Sequence, residues 1–489
     1  MTGFNGERLT NFINGAWVES SGTDVVEVRN PATGALLAKT PMSTTADVDS
    51  AVAAAQAAFP GWRATPPVVR ARYLFKLKAL LDTHKEEIAR LCTTEHGKTL
   101  LESQSDIGRG IENIEHACGM PTMMMGQSLE DVATGIDCAT FRQPMGVFAA
   151  ITPFNFPPMV PLWFLPYALA TGNCFILKPS EQVPLSQRRI FELIEQVGFP
   201  KGVIQLVNGG KAVVERLCGH EGIAGVSFVG STKIAKLVYE TASASGKRVQ
   251  ALGGAKNFLV VDETASIEQA VQNVCDSAYG CAGQRCLAGS TIVAVGSTYD
   301  RVKELVVQFA KNVVVGDGLD SKSTLGPVIT AAARERIIGM IDKGVAEGAE
   351  LLVDGRGFKK EDGTYGGGFW LGPSVFDKVK PDMTIAKEEI FGPVLNIMRV
   401  DTLDEAIALL NSSPYANATS LYTSSGKNAQ KFKASVHPAM IGINIGVAAP
   451  MAMFPFGGSK QSFFGDVKAH GGDAVQFYTD RKVVISRWF

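Results

Sequence analysis

From residue 146 the chain reads as short apolar runs separated by helical ones, and this alternation constrains its fold more than any other feature. "GVFAAITP", "CFILKPS", "VIQLVNG" and "IAGVSFVGS" are rich in β-branched and aromatic residues and end at glycine, proline or serine, as strands do. Between them, "PLSQRRIFELIEQVG" and "AVVERLCGHEG" carry apolar residues at helical spacing. Strand and helix in alternation predict right-handed βαβ crossovers, and so a parallel sheet with helices on both faces. A nucleotide site at the carboxyl ends of those strands is the default expectation. After "QALGGAKNFLVV" a second α/β region begins, with "STIVAVG" as a strand, a helix from about residue 298 to 313, and "PVLNIMRVDTLDEAIALLNSSPYANATSLYT" as a strand-helix-strand unit.

Upstream, "TADVDSAVAAAQAAFPGW" opens on capping residues and runs as an alanine-rich helix expected to stop at Pro60-Gly61. One further helix is expected over "VVRARYLFKLKALLDTHKEEIARLC", burying Leu74, Leu77, Leu81 and Ile88. "FPPMVPLWFLPYALATG" is the most apolar segment, but its prolines and length rule out a membrane-spanning helix, which needs roughly 20 uninterrupted apolar residues. It reads as a buried helix entered through a proline-rich turn. The final "KVVISRW" alternates apolar and polar, as an edge or intersubunit strand would.

The chain has 489 residues, against a prior of about 100 to 200 per domain, so two to four domains are expected. A formal net charge of −1 with no like-charge run supplies no basic surface for nucleic acid. The first residues lack the apolar core of a secretory signal, which points to a cytoplasmic protein. Eight cysteines without a CxxC pair read as free thiols, and six histidines without an HxxxH pair give a metal site no support.

Single motifs read weakly. "GVSFVG" followed by Ser231-Thr232 stands at a strand-to-helix turn, where glycines serve either conformation alone or a phosphate. Lys178 and Glu181 in "ILKPSE" form either a solvated pair or a grip on ribose hydroxyls. Asn155 in "TPFNFP" either braces a turn or donates to an oxyanion, and Glu388-Glu389 in "EEIFGPV" either is solvated or binds a hydroxyl-rich ligand. Cys286 in "GCAGQRCLAGS" is a buried thiol or a nucleophile, and Cys281 reads as packing.

Taken together, "NPATG", "PFNFP", "LKPSE", "SFVGS", "GQRC", "EEIFGP" and "FPFGGSK" resemble, in order and spacing over nearly the whole chain, the motifs of the NAD(P)-dependent aldehyde dehydrogenases. The resemblance implies that Cys286 is the nucleophile and that Asn155 with the Cys286 N–H forms the oxyanion hole. It implies that Lys178, Glu181, Ser231, Glu389 and Phe391 hold the dinucleotide, joined by Thr152, Phe154, Gln182 and Gly253. It further implies an α/β aldehyde dehydrogenase fold in three parts. These are a Rossmann-like NAD-binding domain (residues 1–126 and 143–254), an α/β catalytic domain (255–460) and a small β oligomerisation arm (127–142 and 461–489), assembling as a homodimer or homotetramer. An acidic Glu181 near the adenosine ribose would repel a 2′-phosphate, which favours NAD over NADP.

One departure narrows the expectation. Most members carry a Glu-Leu-Gly-Gly stretch whose glutamate activates the water that hydrolyses the acyl-enzyme; here the stretch is "QALGG", with Ala251 in that place. A methyl group takes no proton, so base activation worth about 10² to 10⁴ in rate is missing there. A thiol acceptor needs less help, being partly ionised at neutral pH. "QALGGAKN", "GQRC" and "RGIENIEHACGMP" resemble the CoA-acylating methylmalonate-semialdehyde dehydrogenases, which convert malonate or methylmalonate semialdehyde to acetyl-CoA or propanoyl-CoA with loss of CO2 or bicarbonate. That resemblance implies NAD, coenzyme A as co-substrate, a small aldehyde acid as substrate, and Arg109 and Arg285 as the carboxylate clamp. The rival expectation is a hydrolytic aldehyde dehydrogenase for another small aldehyde; a catalytically retired scaffold would have no reason to keep Cys286, Asn155, Lys178 and Glu389 together.

Overall fold

The computed structural model of the protein describes residues 6 to 360 and 363 to 489. The four expected strands after residue 146 form as Val147–Ile151, Cys174–Lys178, Ile204–Leu206 and Ile223–Val229, and a fifth, Arg248–Leu252, joins them, all parallel. Val147–Ile151, first in sequence, lies in the middle, with Cys174–Lys178 on one side and Ile223–Val229 on the other. Successive crossovers therefore leave in opposite directions from the central strand, opening a crevice at the strands' carboxyl ends. Antiparallel additions close both edges, Phe463–Gly465 beside Arg248–Leu252 and Asn11–Ile13 with Ala16–Val18 beyond Ile204–Leu206.

A second, mostly parallel sheet centres on Phe258–Val261, Thr291–Val295 and Val394–Val400, with the expected helix at Tyr299–Asn312. Each sheet has its own buried apolar cluster: Phe148, Phe175, Ile176 and Val226 in one, Leu259, Val260, Ile292 and Ile397 in the other. Fully buried strands of this composition are what a sheet covered on both faces requires.

A third sheet stands apart: Ser128–Ala133 and Ile136–Pro144 form a hairpin, and Thr479–Arg487 adds along nine residues of it. Within the segment 461–489, Phe463–Gly465 is paired into the first sheet and the helix Gly471–Tyr478 packs on the same core, so of that segment only Thr479–Arg487 lies in this sheet.

Three helical expectations are corrected. The helix Thr45–Ala64 runs through Pro60, because Trp62 is buried and its indole N–H donates to the Leu169 carbonyl at 3.2 Å, which holds the last turn. It ends at Thr65, extended as a residue before proline must be. The next helix is two, Pro67–Thr83 and Lys85–His96, though Leu74, Leu77, Leu81 and Ile88 are all buried as expected. The proline-rich apolar segment is likewise two short buried helices, Met159–Leu162 and Leu165–Thr171. Among the described residues no helix is long and apolar enough to cross a membrane.

Candidate active site

Cys286 follows the helix Ile267–Tyr279 by way of a tight turn in which Cys281, Ala282 and Gly283 all take positive φ. Gly283 is required there, since a Cβ would overlap the Gly392 carbonyl oxygen. The turn presses "GQRC" against "FGP", and two amides fix its far end: Asn257 and Asn417 donate to the Cys286 carbonyl at 2.9 and 3.0 Å. Asn155, 5% exposed, donates through Nδ2 to the Gln284 carbonyl at 3.0 Å, so its amide is pinned beside the cysteine. Its own carbonyl accepts from Lys98 Nζ at 2.6 Å, and Lys98 is ion-paired to Asp106 at 2.8 Å with both side chains fully buried.

Cys286 sits between two pockets. The first is a cleft of about 680 Å³ at the crevice of the five-stranded parallel core. Thr152 and Phe154 enter it just past Val147–Ile151, and Lys178, Glu181 and Gln182 follow Cys174–Lys178. Ser231 stands just before the helix Thr232–Ala244, Gly253 follows Arg248–Leu252, and Glu389 and Phe391 reach over from the second unit. All nine residues expected at a dinucleotide are thus brought to one cleft, together with Asn155 and Cys286. Lys178 Nζ holds Glu181 at 2.9 Å, Phe154 meets Phe391 edge-to-face, and the Gln182 Oε1 is buried without a partner among the described residues.

The charges in this cleft are perturbed by desolvation. Burial raises the Glu389 carboxyl to about 7, although the Ala255 N–H, Lys256 and Arg336 oppose it. Burial pushes the Cys286 thiol up to about 12, reinforced by the Glu389 charge and only partly offset by backbone N–H groups and Arg285. The resting cysteine is therefore a thiol. Gly254 makes the approach of Glu389 possible, since a Cβ there would strike its Oε2.

The second pocket, of about 350 Å³, opens on the other side of Cys286 and is lined by Phe156, Trp163, Phe456 and His470 as well as by Arg109 and Arg285. The structure thus brings both expected arginines to the cysteine's pocket. Each already has a carboxylate: Arg109 Nη1 donates to Glu112 at 2.7 Å, and Arg285 Nη2 to Glu102 at 3.2 Å. His470 is buried with neither ring nitrogen partnered among the described residues, and burial lowers its pKa to about 3, so it is neutral. Ala251 is fully buried in its strand, and the neighbouring Gln250 donates to Ser227 Oγ at 2.8 Å, so neither is a base.

Sequence reasoning missed Glu102, the Lys98–Asp106 pair, Asn257, Asn417 and Arg336. Only Glu102 left a signal: with Thr99 it forms a Thr-x-x-Glu capping box opening the helix Leu100–Cys118. The others act across tens to hundreds of residues of sequence. Cys281, read as packing, is buried, and its sulfur accepts from Arg285 Nε at 3.3 Å.

Comparison with known proteins identifies the family of the chain. The model of the aldehyde dehydrogenase family matches residues 17–484. The malonate-semialdehyde dehydrogenase 1 of Geobacillus thermodenitrificans is 49% identical over 482 residues, 99% of each chain. The crystal structure of methylmalonate-semialdehyde dehydrogenase from Oceanimonas doudoroffii superposes with a TM-score of 0.96 at 45% identity, covering 99% of this chain and 98% of that one. An NAD⁺ complex of an aldehyde dehydrogenase from Bacillus cereus superposes with a TM-score of 0.93 at 32% identity, covering 99% and 97%.

Proposed function

This chain belongs to the aldehyde dehydrogenase family, and from that premise we propose that it oxidises malonate or methylmalonate semialdehyde with NAD and passes the acyl group to coenzyme A. The observation that carries the reading is the position of Cys286 between a dinucleotide-sized cleft and a pocket holding two guanidinium groups. The cleft fits NAD: a cation-acid pair, an unpartnered buried amide oxygen and a helix N-terminus converge at the sheet's crevice. When bound, the nicotinamide is the hydride acceptor.

The chain's own residues do the rest. Cys286, once its thiol proton has passed to solvent, adds its sulfur to the aldehyde carbon, and the Asn155 amide and the Cys286 N–H receive the oxyanion. Loss of hydride leaves a thioester on Cys286. Arg285 and Arg109 orient the distal carboxylate, whose departure as CO2 gives an enolate with its oxygen in the same oxyanion hole. Thiolysis by CoA then frees Cys286. With Ala251 buried where the family places its water base, thiol transfer meets less resistance than hydrolysis.

The two large sheets correspond in this reading to an NAD-binding unit (residues 1–126 and 143–254, plus Phe463–Gly465) and a catalytic unit (255–460). The three-stranded arm exposes Val483 and Ile485 on one face and Phe141 and Val484 on the other, apolar surface that suits pairing with a second copy in a homodimer or homotetramer. The protein is proposed to work in the cytoplasm.

NADH formation from malonate semialdehyde and from propanal, with and without CoA and with products identified by mass, tests the proposal. CoA-dependent formation of acetyl-CoA with propanal a poor substrate is expected. CoA-independent turnover to a free acid would replace this reading by a hydrolytic one.

A further inference from the structure

Glu102 makes three contacts at once. Its Oε2 accepts the Thr99 N–H at 2.8 Å, closing the cap of the helix Leu100–Cys118. Its Oε1 accepts the Cys281 N–H at 2.6 Å and lies 3.2 Å from Arg285 Nη2. Arg285 in turn donates through Nε to Cys281 Sγ, and its guanidinium lies over Gly280, where a Cβ would overlap it. The Nε and Nη2 edge is therefore spent on protein, while Nη1 has no protein partner among the described residues. Both side chains are largely buried, at 15% exposure for Glu102 and 20% for Arg285, and both border the pocket of Cys286.

We infer that Glu102 is a positioning residue that sets how firmly Arg285 holds the substrate carboxylate, and thereby how readily that carboxylate leaves. The inference rests on the proposed function. In the malonyl-enzyme the bond between the methylene and the carboxylate carbon breaks, and its electron pair moves to the thioester carbonyl oxygen. CO2 departs, and the enolate takes a proton from solvent at carbon to become the acetyl thioester. Negative charge thus moves away from Arg285 and gathers at Asn155. A contact stronger in the ground state than in the transition state slows a step, so an unopposed guanidinium would select the substrate and then hinder its decarboxylation. Glu102 lessens the field of Arg285 while fixing its fork, and the substrate is held by direction more than by net charge.

The test is Glu102→Gln, since glutamine serves in the same helix cap without the charge. With malonate semialdehyde and saturating CoA, the KM should fall about tenfold, and the undecarboxylated thioester, malonyl-CoA, should rise about tenfold relative to acetyl-CoA as thiolysis overtakes slowed decarboxylation. Far-ultraviolet circular dichroism and the gel-filtration volume report whether the variant is folded. If it is not, Glu102→Asp, one methylene short of Arg285, takes its place and shifts both readouts the same way. An unchanged product ratio in a folded variant, with KM unchanged or raised, would overturn the inference and leave Glu102 a helix cap. Wild-type protein that forms no CoA thioester from malonate semialdehyde would sink the functional reading itself, before any variant is assayed.

Discussion

Cys286 must be a thiolate to attack an aldehyde, yet the fold makes it a poor acid. Desolvation comes first and the Glu389 charge second in holding its pKa near 12. Burial raises the Glu389 carboxyl to about 7, so its repulsion grows as the pH rises through that value. Two outcomes follow for the ligand-free protein. Alkylation of Cys286 by iodoacetamide should climb through pH 10 without the plateau that a thiol of pKa near 8.5 would show. Glu389→Gln should lower the thiol pKa and speed alkylation at pH 9, about tenfold for each unit of the shift; a slower or unchanged rate would count against the electrostatic coupling. Asn155→Ala should leave the fold intact but cut turnover about 10² to 10³-fold by removing one oxyanion donor, read as kcat under saturating substrates. The chemical type of these residues was legible in "GQRC" and "PFNFP"; their charge states were not, because desolvation depends on what packs around them.

At the scale of elements, the loop before Cys286 is held by groups from distant helices. The helix Leu100–Cys118 contributes Asp106 and Glu102, and Lys98 just before it links Asp106 to the Asn155 carbonyl. This buried pair resists removal of one partner, which would leave an uncompensated charge. Lys98→Met should destabilise the protein by about 3 to 5 kcal/mol in chemical denaturation, and a loss below 1 kcal/mol would mean that water or a rearranged amide replaces it. The four strands from Val147 to Val229 were legible as unbroken apolar runs, as fully buried parallel strands leave, whereas Arg248–Leu252, interrupted by Arg248 and Gln250, was not. Helix ends were also less legible. Pro60 reads as a stop, and only the burial of Trp62 against Leu169 shows why the helix continues past it.

At the scale of the molecule, Thr479–Arg487 crosses to the strand Ile136–Pro144 of the hairpin, so the arm joins an interior segment to a segment far along the sequence. Val483 and Ile485 point from one face of that strand, 59% and 70% exposed. The double substitution Val483→Lys and Ile485→Lys should lower the sedimentation coefficient to that of a monomer of 52.1 kDa, and an unchanged coefficient would place the subunit contact elsewhere. The sequence by itself determined the α/β class, the two sheets and the family, because local periodicity and contiguous motifs carry that information within a few residues. It also exposed the missing water base, since Ala251 stands inside such a motif. Only the tertiary structure decided that Arg109 and Arg285 share the pocket of Cys286, that each arrives with a carboxylate, and that the cysteine rests protonated. Those properties depend on distances between residues far apart in the chain and on the dielectric around them, and neither quantity is written in any local pattern of residues.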